Sequence, residues 1–178
     1  MKFASAKALI GWSFQMETIC LCKVQKFDDS KAPSFGALSM HDQKTQAAMV
    51  MAKVARLAYN ERLVLWAYFT ERAGEVMALA DLMPLDLPLN IRVELVKHWL
   101  VQDVPGKAHR PKTAHHLAEQ CKVSDATMCR NKRRVMVECD RLFRSALLSI
   151  EIQHLDLIEF PSVANMSRGS HMAACKAA

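Results

Sequence analysis

Apolar residues recur every three or four positions along most of the chain, and no segment alternates apolar and polar residues with a period of two. Val50, Val54, Leu57, Val64 and Tyr68 follow this helical spacing. Such periodicity is typical of amphipathic helices that bury one face. Gly and Pro are sparse, with 5 and 6 occurrences in 178 residues, which also favours helix over sheet. The sequence therefore predicts an all-α protein.

Five helical segments are predicted, separated by residues that cap or end helices. Ser39 and Asp42 have the spacing of a capping box, Asn90 is a predicted N-cap, and Gly74 and Pro84 are predicted helix ends. The predicted segments are 3–26, 40–71, 75–83, 91–101 and 113–159. A break near residues 59–60 divides the second segment, and we expect its two halves to pack as a hairpin.

The connections suggest four regions along the chain. Residues 1–39 form an N-terminal helix and loop, residues 40–104 a helical body, and residues 105–160 a second helical unit. Residues 167–178 begin with Ser-Arg-Gly-Ser-His-Met, which resembles a remnant of a cloning vector. We therefore leave this tail out of the functional argument.

Positive charge is concentrated in one segment. The chain carries a net charge of +6, and residues 105–144 hold ten Lys or Arg against four Asp or Glu. The rest of the chain is balanced, with fourteen residues of each sign. A localised excess of this kind attracts a polyanion, whereas an evenly spread excess mainly keeps a protein in solution. Nucleic acid is therefore the first partner to consider.

The basic segment has the pattern of two helices joined by a tight turn. Leu117, Ala118, Val123 and Met128 have spacings that allow a short and a long helix to share a small core, and Ser124 is a predicted cap of the long helix. The long helix continues with an apolar stripe at Met128, Val135, Cys139, Leu142, Ala146 and Ile150. We predict a helical domain with a C-terminal helix-turn-helix that contains a long recognition helix.

In a helix-turn-helix, the first turns of the second helix lie nearest the bases, and flanking cations contact phosphates. Arg can pair bidentately with guanine, and Asn can pair in the same way with adenine. The candidates for reading bases are Asp125, Thr127, Met128, Arg130, Asn131 and Arg134. The candidates for contacting phosphates are Lys107, Arg110, Lys112, Lys122, Ser124, Lys132 and Arg133.

Two stretches carry a family resemblance. Residues 54–69, VARLAYNERLVLWAYF, resemble the helix that opens region 4 of bacterial sigma factors, and residues 117–142 resemble the helix-turn-helix of the same region. Phage late-gene antiterminators of the Q type are similar in both parts. The resemblance implies a transcription regulator that binds double-stranded DNA near a promoter and contacts RNA polymerase.

Other interpretations remain open. The basic helix could dock on an acidic protein surface, which would make the chain a protein-interaction module that never meets DNA. A second helix pair, 75–82 with 91–100, could be the DNA-reading unit, although its second helix has only Arg92, Lys97 and His98 against Glu94. An RNA-binding role is less favoured, because single-strand recognition relies on exposed aromatic side chains.

The sequence contains none of the motifs that we associate with catalysis, so we expect no enzyme, cofactor or catalytic residue. The six cysteines form no CxxC pair, and Cys20 and Cys22 are only a weak metal or redox candidate. His115 and His116 project about a hundred degrees apart on a helix, which suits joint metal binding poorly. With no apolar run of membrane length, we expect a cytoplasmic protein of a bacterial cell or phage-infected host, of unpredicted oligomeric state.

Overall fold

A computed structural model describes residues 2–18, 39–101 and 111–158 of the chain. Within these ranges the chain forms seven α-helices and no strand, apart from an isolated bridge between Phe3 and Ile158. The helices are α1 (Ala6–Thr18), α2 (Met40–Val54), α3 (Tyr59–Thr70), α4 (Ala73–Asp81), α5 (Leu89–Val101), α6 (Ala114–Cys121) and α7 (Asp125–Gln153). The predicted all-α class is confirmed.

Several helix ends lie where the sequence predicts them. The Ser39 side chain accepts a hydrogen bond from the backbone N–H of Asp42, and the Asp42 carboxylate accepts one from the backbone N–H of Ser39. The predicted break after α2 is also present, because Tyr59 begins a new helix. The predicted extension of α1 to residue 26 and the loop at 27–38 lie outside the described residues.

Two predicted helix boundaries are wrong. Gly74 lies in the first turn of α4, and α3 ends instead at Glu71, which adopts the left-handed conformation with φ 53° and donates its N–H to Ala67. Asn90 lies inside α5, because the carbonyl of Pro88 already accepts the N–H groups of the helix. In both cases backbone hydrogen bonds set the boundary one to three residues away from the residue type that usually marks it.

The predicted hairpin of α2 and α3 is also wrong, because the two helices pack against different partners. α2 lies on α1, whereas α3 lies between α4 and α7. Ala47 and Val50 of α2 join Leu9 and Trp12 of α1 in a small apolar cluster that Ile158 also enters. Helical periodicity identifies the buried face of α2, but it does not identify the helix that covers that face.

A larger apolar cluster joins residues from all seven helices. At its centre, the Phe143 ring of α7 lies 4.6 Å from the ring of Tyr68 and 5.7 Å from that of Trp99, measured between centroids. Phe14 of α1 stacks on Phe69 of α3 at 5.2 Å. Aromatic pairs at these separations stabilise beyond the area that they bury. The rings therefore lock α1, α3 and α5 onto one side of α7.

A single arginine fixes the connection between α4 and α5. The Arg92 guanidinium of α5 donates to the backbone carbonyls of Ala80, Asp81 and Met83 at 3.2, 3.0 and 3.4 Å. These carbonyls lie at the end of α4 and just beyond it, where the N–H of the fourth residue on is no longer positioned to bond them as it is inside a helix. The cation also lies favourably at the negative end of the helix dipole. The start of the connection is therefore held against α5.

The membrane-spanning potential of the described helices is low. None of the helices in the three described ranges combines the length and the hydropathy needed to cross a lipid bilayer.

The aromatic cluster gives a direct test of this packing. We expect Phe143→Ala to lower the free energy of unfolding by about 3–5 kcal/mol, because it removes a buried ring and leaves a cavity. Chemical denaturation followed by circular dichroism measures the change. Leu148→Ala is the control on the same helix, since Leu148 is 57% exposed and its truncation should cost less than about 1 kcal/mol. Equal losses for the two variants would contradict the arrangement.

Candidate nucleic-acid interface

The junction of α6 and α7 is a three-residue turn with both helix ends satisfied. Lys122 ends α6 in the left-handed conformation with φ 53°, and its N–H donates to carbonyls of α6. Ser124 begins α7, and its Oγ accepts the N–H of Thr127 at 3.2 Å. Behind the turn, Leu117 and Met128 are wholly buried against each other's helices. The predicted cap and the predicted shared core are both present.

The direction in which α7 presents its side chains is set by its buried face. All six residues of the predicted apolar stripe are buried, and Phe143 joins them. The Trp99 indole N–H of α5 donates to the Asp140 carboxylate at 2.8 Å. The Ser145 hydroxyl donates to the Glu61 carboxylate of α3. Rotation of α7 about its axis would break these contacts, so its outer face is fixed.

Arginines dominate the outer face of α7 between residues 130 and 144. Arg130, Arg134 and Arg141 follow the spacing i, i+4 and i+11, and Arg133 and Arg144 lie beside them. All five side chains are exposed. The face is also interrupted by Val137, an apolar residue that is 62% exposed.

The carboxylates among residues 125–144 of α7 already have partners. Asp125 accepts from His115 Nδ1 at 3.0 Å, Glu138 accepts from Arg141 at 2.6 Å, and Asp140 accepts from the Trp99 indole. Among the described residues, none forms an ion pair with any of four arginines, namely Arg130, Arg133, Arg134 and Arg144. These guanidinium groups are therefore available to an external anion.

The structure corrects one base-reading candidate and constrains three others. Met128 has 0% exposure and packs in the core between α6 and α7, so its assignment to base reading is wrong. The Thr127 hydroxyl lies 2.9 Å from Ser124 Oγ, and the Asp125 carboxylate is bonded to His115. Asn131 is half-buried. Arg130 and Arg134 are the remaining candidates: both side chains are exposed, and neither guanidinium forms an ion pair with another described residue.

The phosphate candidates lie around the start of α7. Lys122 and Ser124 lie in the turn, Arg133 on the outer face, and Lys132 is half-buried on α7. The segment that carries Lys112 is held by α5, because its N–H donates to Glu94 at 3.3 Å and its carbonyl accepts from His98 at 2.9 Å. Lys107 and Arg110 lie outside the described residues.

Two residues near this face were not among the sequence candidates. Arg141 and Arg144 continue the exposed basic face of α7. Arg141 lies seven residues after Arg134 and Arg144 lies eleven after Arg133, and these helical spacings could have identified them. The connection at Met83, Pro84 and Leu85 borders the same face, although it is about fifty residues away in sequence. The sequence near this connection gives no indication that it packs beside α7.

Hydrogen bonding shifts the ionisation of two groups near the turn. The hydrogen bond and charge of Asp125 raise the pKa of His115 above its ordinary value, and Glu119 adds to the effect. Partial burial acts to raise the pKa of Glu94, but hydrogen bonds from Lys97 and from the Lys112 backbone outweigh it, so this pKa is lowered. Both groups are therefore held in their charged forms over a wider pH range than usual.

Cys139 contributes to packing rather than to reactivity. It is buried in the stripe of α7, and desolvation raises the pKa of its thiol to about 12. The thiolate is the reactive form of cysteine, so this side chain is inert at neutral pH. Within the described ranges, no three His, Cys, Asp or Glu residues are grouped in a way that could hold a metal ion.

Comparisons with models of protein families, with curated proteins and with solved structures find no match to this chain. The resemblance to sigma region 4 therefore stays a prediction.

The contact between His115 and Asp125 predicts a pH dependence. Since the folded-state pKa of His115 is raised, the charged pair stabilises the fold fully below the ordinary value of 6.5 and loses this effect as the pH rises through the raised value. We expect Asp125→Asn to return the His115 pKa towards 6.5 in an NMR titration. Asp86→Asn, which removes an exposed carboxylate from the α4–α5 connection, is the control. An unchanged His115 pKa in Asp125→Asn would contradict the contact.

Proposed function

We propose that the chain is a sequence-specific regulator of transcription that binds double-stranded DNA through α6 and α7. In this proposal the two helices act as a helix-turn-helix, and α7 is the recognition helix. The observation that carries it is a set of four exposed arginines on one fixed face of α7, none of which has an ion-pair partner among the described residues: Arg130, Arg133, Arg134 and Arg144. A row of unpaired guanidinium groups attracts phosphates and can also pair with guanine edges.

The shape of the unit supports the same function. An α-helix fits the width of the major groove of B-DNA, and a helix that begins at a short capped turn can enter with its first turns. α6 and α7 share a buried core at Leu117, Ala118 and Met128, so the turn is not free to swing. A rigid pair of this kind would bind without a large loss of conformational freedom.

The roles of individual residues follow from their positions. Arg130 and Arg134 lie one helical turn apart near the start of α7, and we assign them to base edges together with Asn131. Lys122, at the turn, and Arg133 are assigned to phosphates on either side of the groove. The proposal includes contact with RNA polymerase because residues 54–69 resemble sigma region 4. Most of these residues form α3.

One observation favours a second candidate function. Val137 is 62% exposed in the middle of the arginines, and a DNA phosphate backbone offers an apolar side chain little. A protein partner with an acidic and apolar surface would use both. In this alternative, α7 docks on that partner and the chain never meets DNA.

Binding to duplex DNA separates these functions. We expect affinity for a duplex selected from random sequences to fall steeply with salt concentration, because the cationic side chains of the protein release counterions from DNA when they bind. Arg130→Ala and Arg134→Ala should each reduce discrimination between the preferred and a mismatched duplex by about 1–3 kcal/mol. Lys122→Ala should weaken binding to both duplexes equally. It should also reduce the slope of log affinity against log salt concentration by about one. Fluorescence anisotropy at several salt concentrations measures all three.

The control variant is Arg56→Ala. It removes the same charge from an exposed position in the α2–α3 connection, remote in sequence from the basic segment. If Arg56→Ala weakens binding as much as Arg134→Ala does, the interaction is a response to net charge and α7 is not a reading head. If no duplex is enriched over random sequence, the proposed function is wrong and the protein-interaction function takes its place.

A further inference from the structure

A groove lies between α7 and the connection that follows α4. Met83, Pro84 and Leu85 form one side of it, and the first half of α7 forms the other. Its volume is ≈ 400 Å³, within the range of pockets that bind small molecules. DNA binding by α7 does not require a groove beside it.

The apolar side of the groove is preformed. Met83 is 3% exposed and belongs to the main apolar cluster, and the Leu85 side chain packs against the same cluster. The carbonyl of Met83 accepts hydrogen bonds from the Leu85 N–H at 2.8 Å and from the Arg92 guanidinium. A ligand would therefore meet an apolar wall that is already in place, so little ordering would oppose its binding.

The opposite side of the groove is cationic. Arg130, Arg133 and Arg134 line it, and none of them is paired with a described carboxylate. Glu138 also lines the groove, but two hydrogen bonds from Arg141 engage its carboxylate, so its negative charge is offset. Val137 extends the apolar surface between the arginines. The groove thus has three arginines along one side and an apolar wall along the other.

We propose that this groove is a binding site for a small molecule that carries one carboxylate or phosphate on an apolar body. The guanidinium groups pair with the anionic head, for which their planar donors are suited. The apolar body lies against Met83, Leu85 and Val137, where it displaces water. Neither a bare inorganic anion nor a neutral apolar molecule would use both sides of the groove.

The site has a consequence for DNA binding, and this part of the inference rests on the proposed function. Arg130 and Arg134 line the groove and are also the residues assigned to base edges. A bound anion would compete with DNA for these two guanidinium groups and occupy the space beside them. The ligand therefore acts as a competitive effector that releases the protein from DNA.

Titration calorimetry on the full chain without DNA tests the site itself. The probes are 2-naphthoate and 2-naphthyl phosphate, with 2-naphthylmethanol as a neutral molecule of the same ring and inorganic phosphate as a bare anion. We expect one site per chain for the two charged aromatic probes, and affinity at least about tenfold weaker for the other two. Equal affinity for naphthoate and naphthylmethanol, or for naphthyl phosphate and inorganic phosphate, would overturn the proposal.

Variants locate the site on the surface. Arg134→Gln and Val137→Glu should each weaken naphthoate binding by about tenfold or more, the first by removing a donor and the second by adding a like charge beside the head. Both positions are exposed, so we expect each variant to fold, and circular dichroism is used to check this. Arg144→Gln is the matched control, since it removes an exposed guanidinium of α7 that has no ion-pair partner among the described residues and does not line the groove. A loss in Arg144→Gln as large as that in Arg134→Gln would overturn the proposal.

A second measurement keeps the two functions apart. We expect saturating naphthyl phosphate to raise the apparent Kd for the selected duplex about tenfold or more, whereas naphthylmethanol should leave it unchanged. If the chain binds naphthoate but enriches no duplex, the ligand site stands and the proposed function fails. If it binds DNA but neither charged probe, the ligand site is wrong and the proposed function stands.

Discussion

The arrangement of this protein depends on the burial of one face of α7. Seven of its residues, from Met128 to Ile150, are buried, and α7 packs against α1, α3, α5 and α6. Each buried aliphatic or aromatic side chain contributes about 1.5–3 kcal/mol, so the helix cannot rotate without losing most of the core. The same burial fixes the opposite face, where the arginines lie. Stability and the orientation of the candidate site are therefore set by one interaction.

Local patterns were sufficient to predict much of the fold. Helical periodicity located the elements, and the stripe on α7 is buried at every predicted position. Ser39 and Ser124 cap helices as predicted, because a side-chain cap depends only on the next three residues. The failures concern partners that are distant in sequence. Nothing near α2 indicates that α1 covers it, and the ends of α3 and α5 follow backbone hydrogen bonds at Glu71 and Pro88.

The candidate site shows the same division. The sequence located the excess positive charge in residues 105–144, and the exposed arginines of α7 are the part of that prediction that the structure retains. Met128 failed because its spacing placed it both in the shared core and near the bases, and burial decided between the two. The sequence could not show which cations stay unpaired. That depends on His115 and Trp99, which engage Asp125 and Asp140 from other helices.

The length of α7 limits how its arginines can act together. A straight helix rises about 1.5 Å per residue, so Arg130 and Arg144 are separated by about 21 Å along the axis. The major groove curves away from a straight rod over such a distance, so only the first turns can reach base edges. Arg141 is further restrained by Glu138, which leaves Arg144 as the distant cation that can still reach a phosphate. In the proposed complex with DNA, sequence preference would therefore arise from the turns near Arg130 and Arg134. Salt dependence would arise along the whole basic face of the helix.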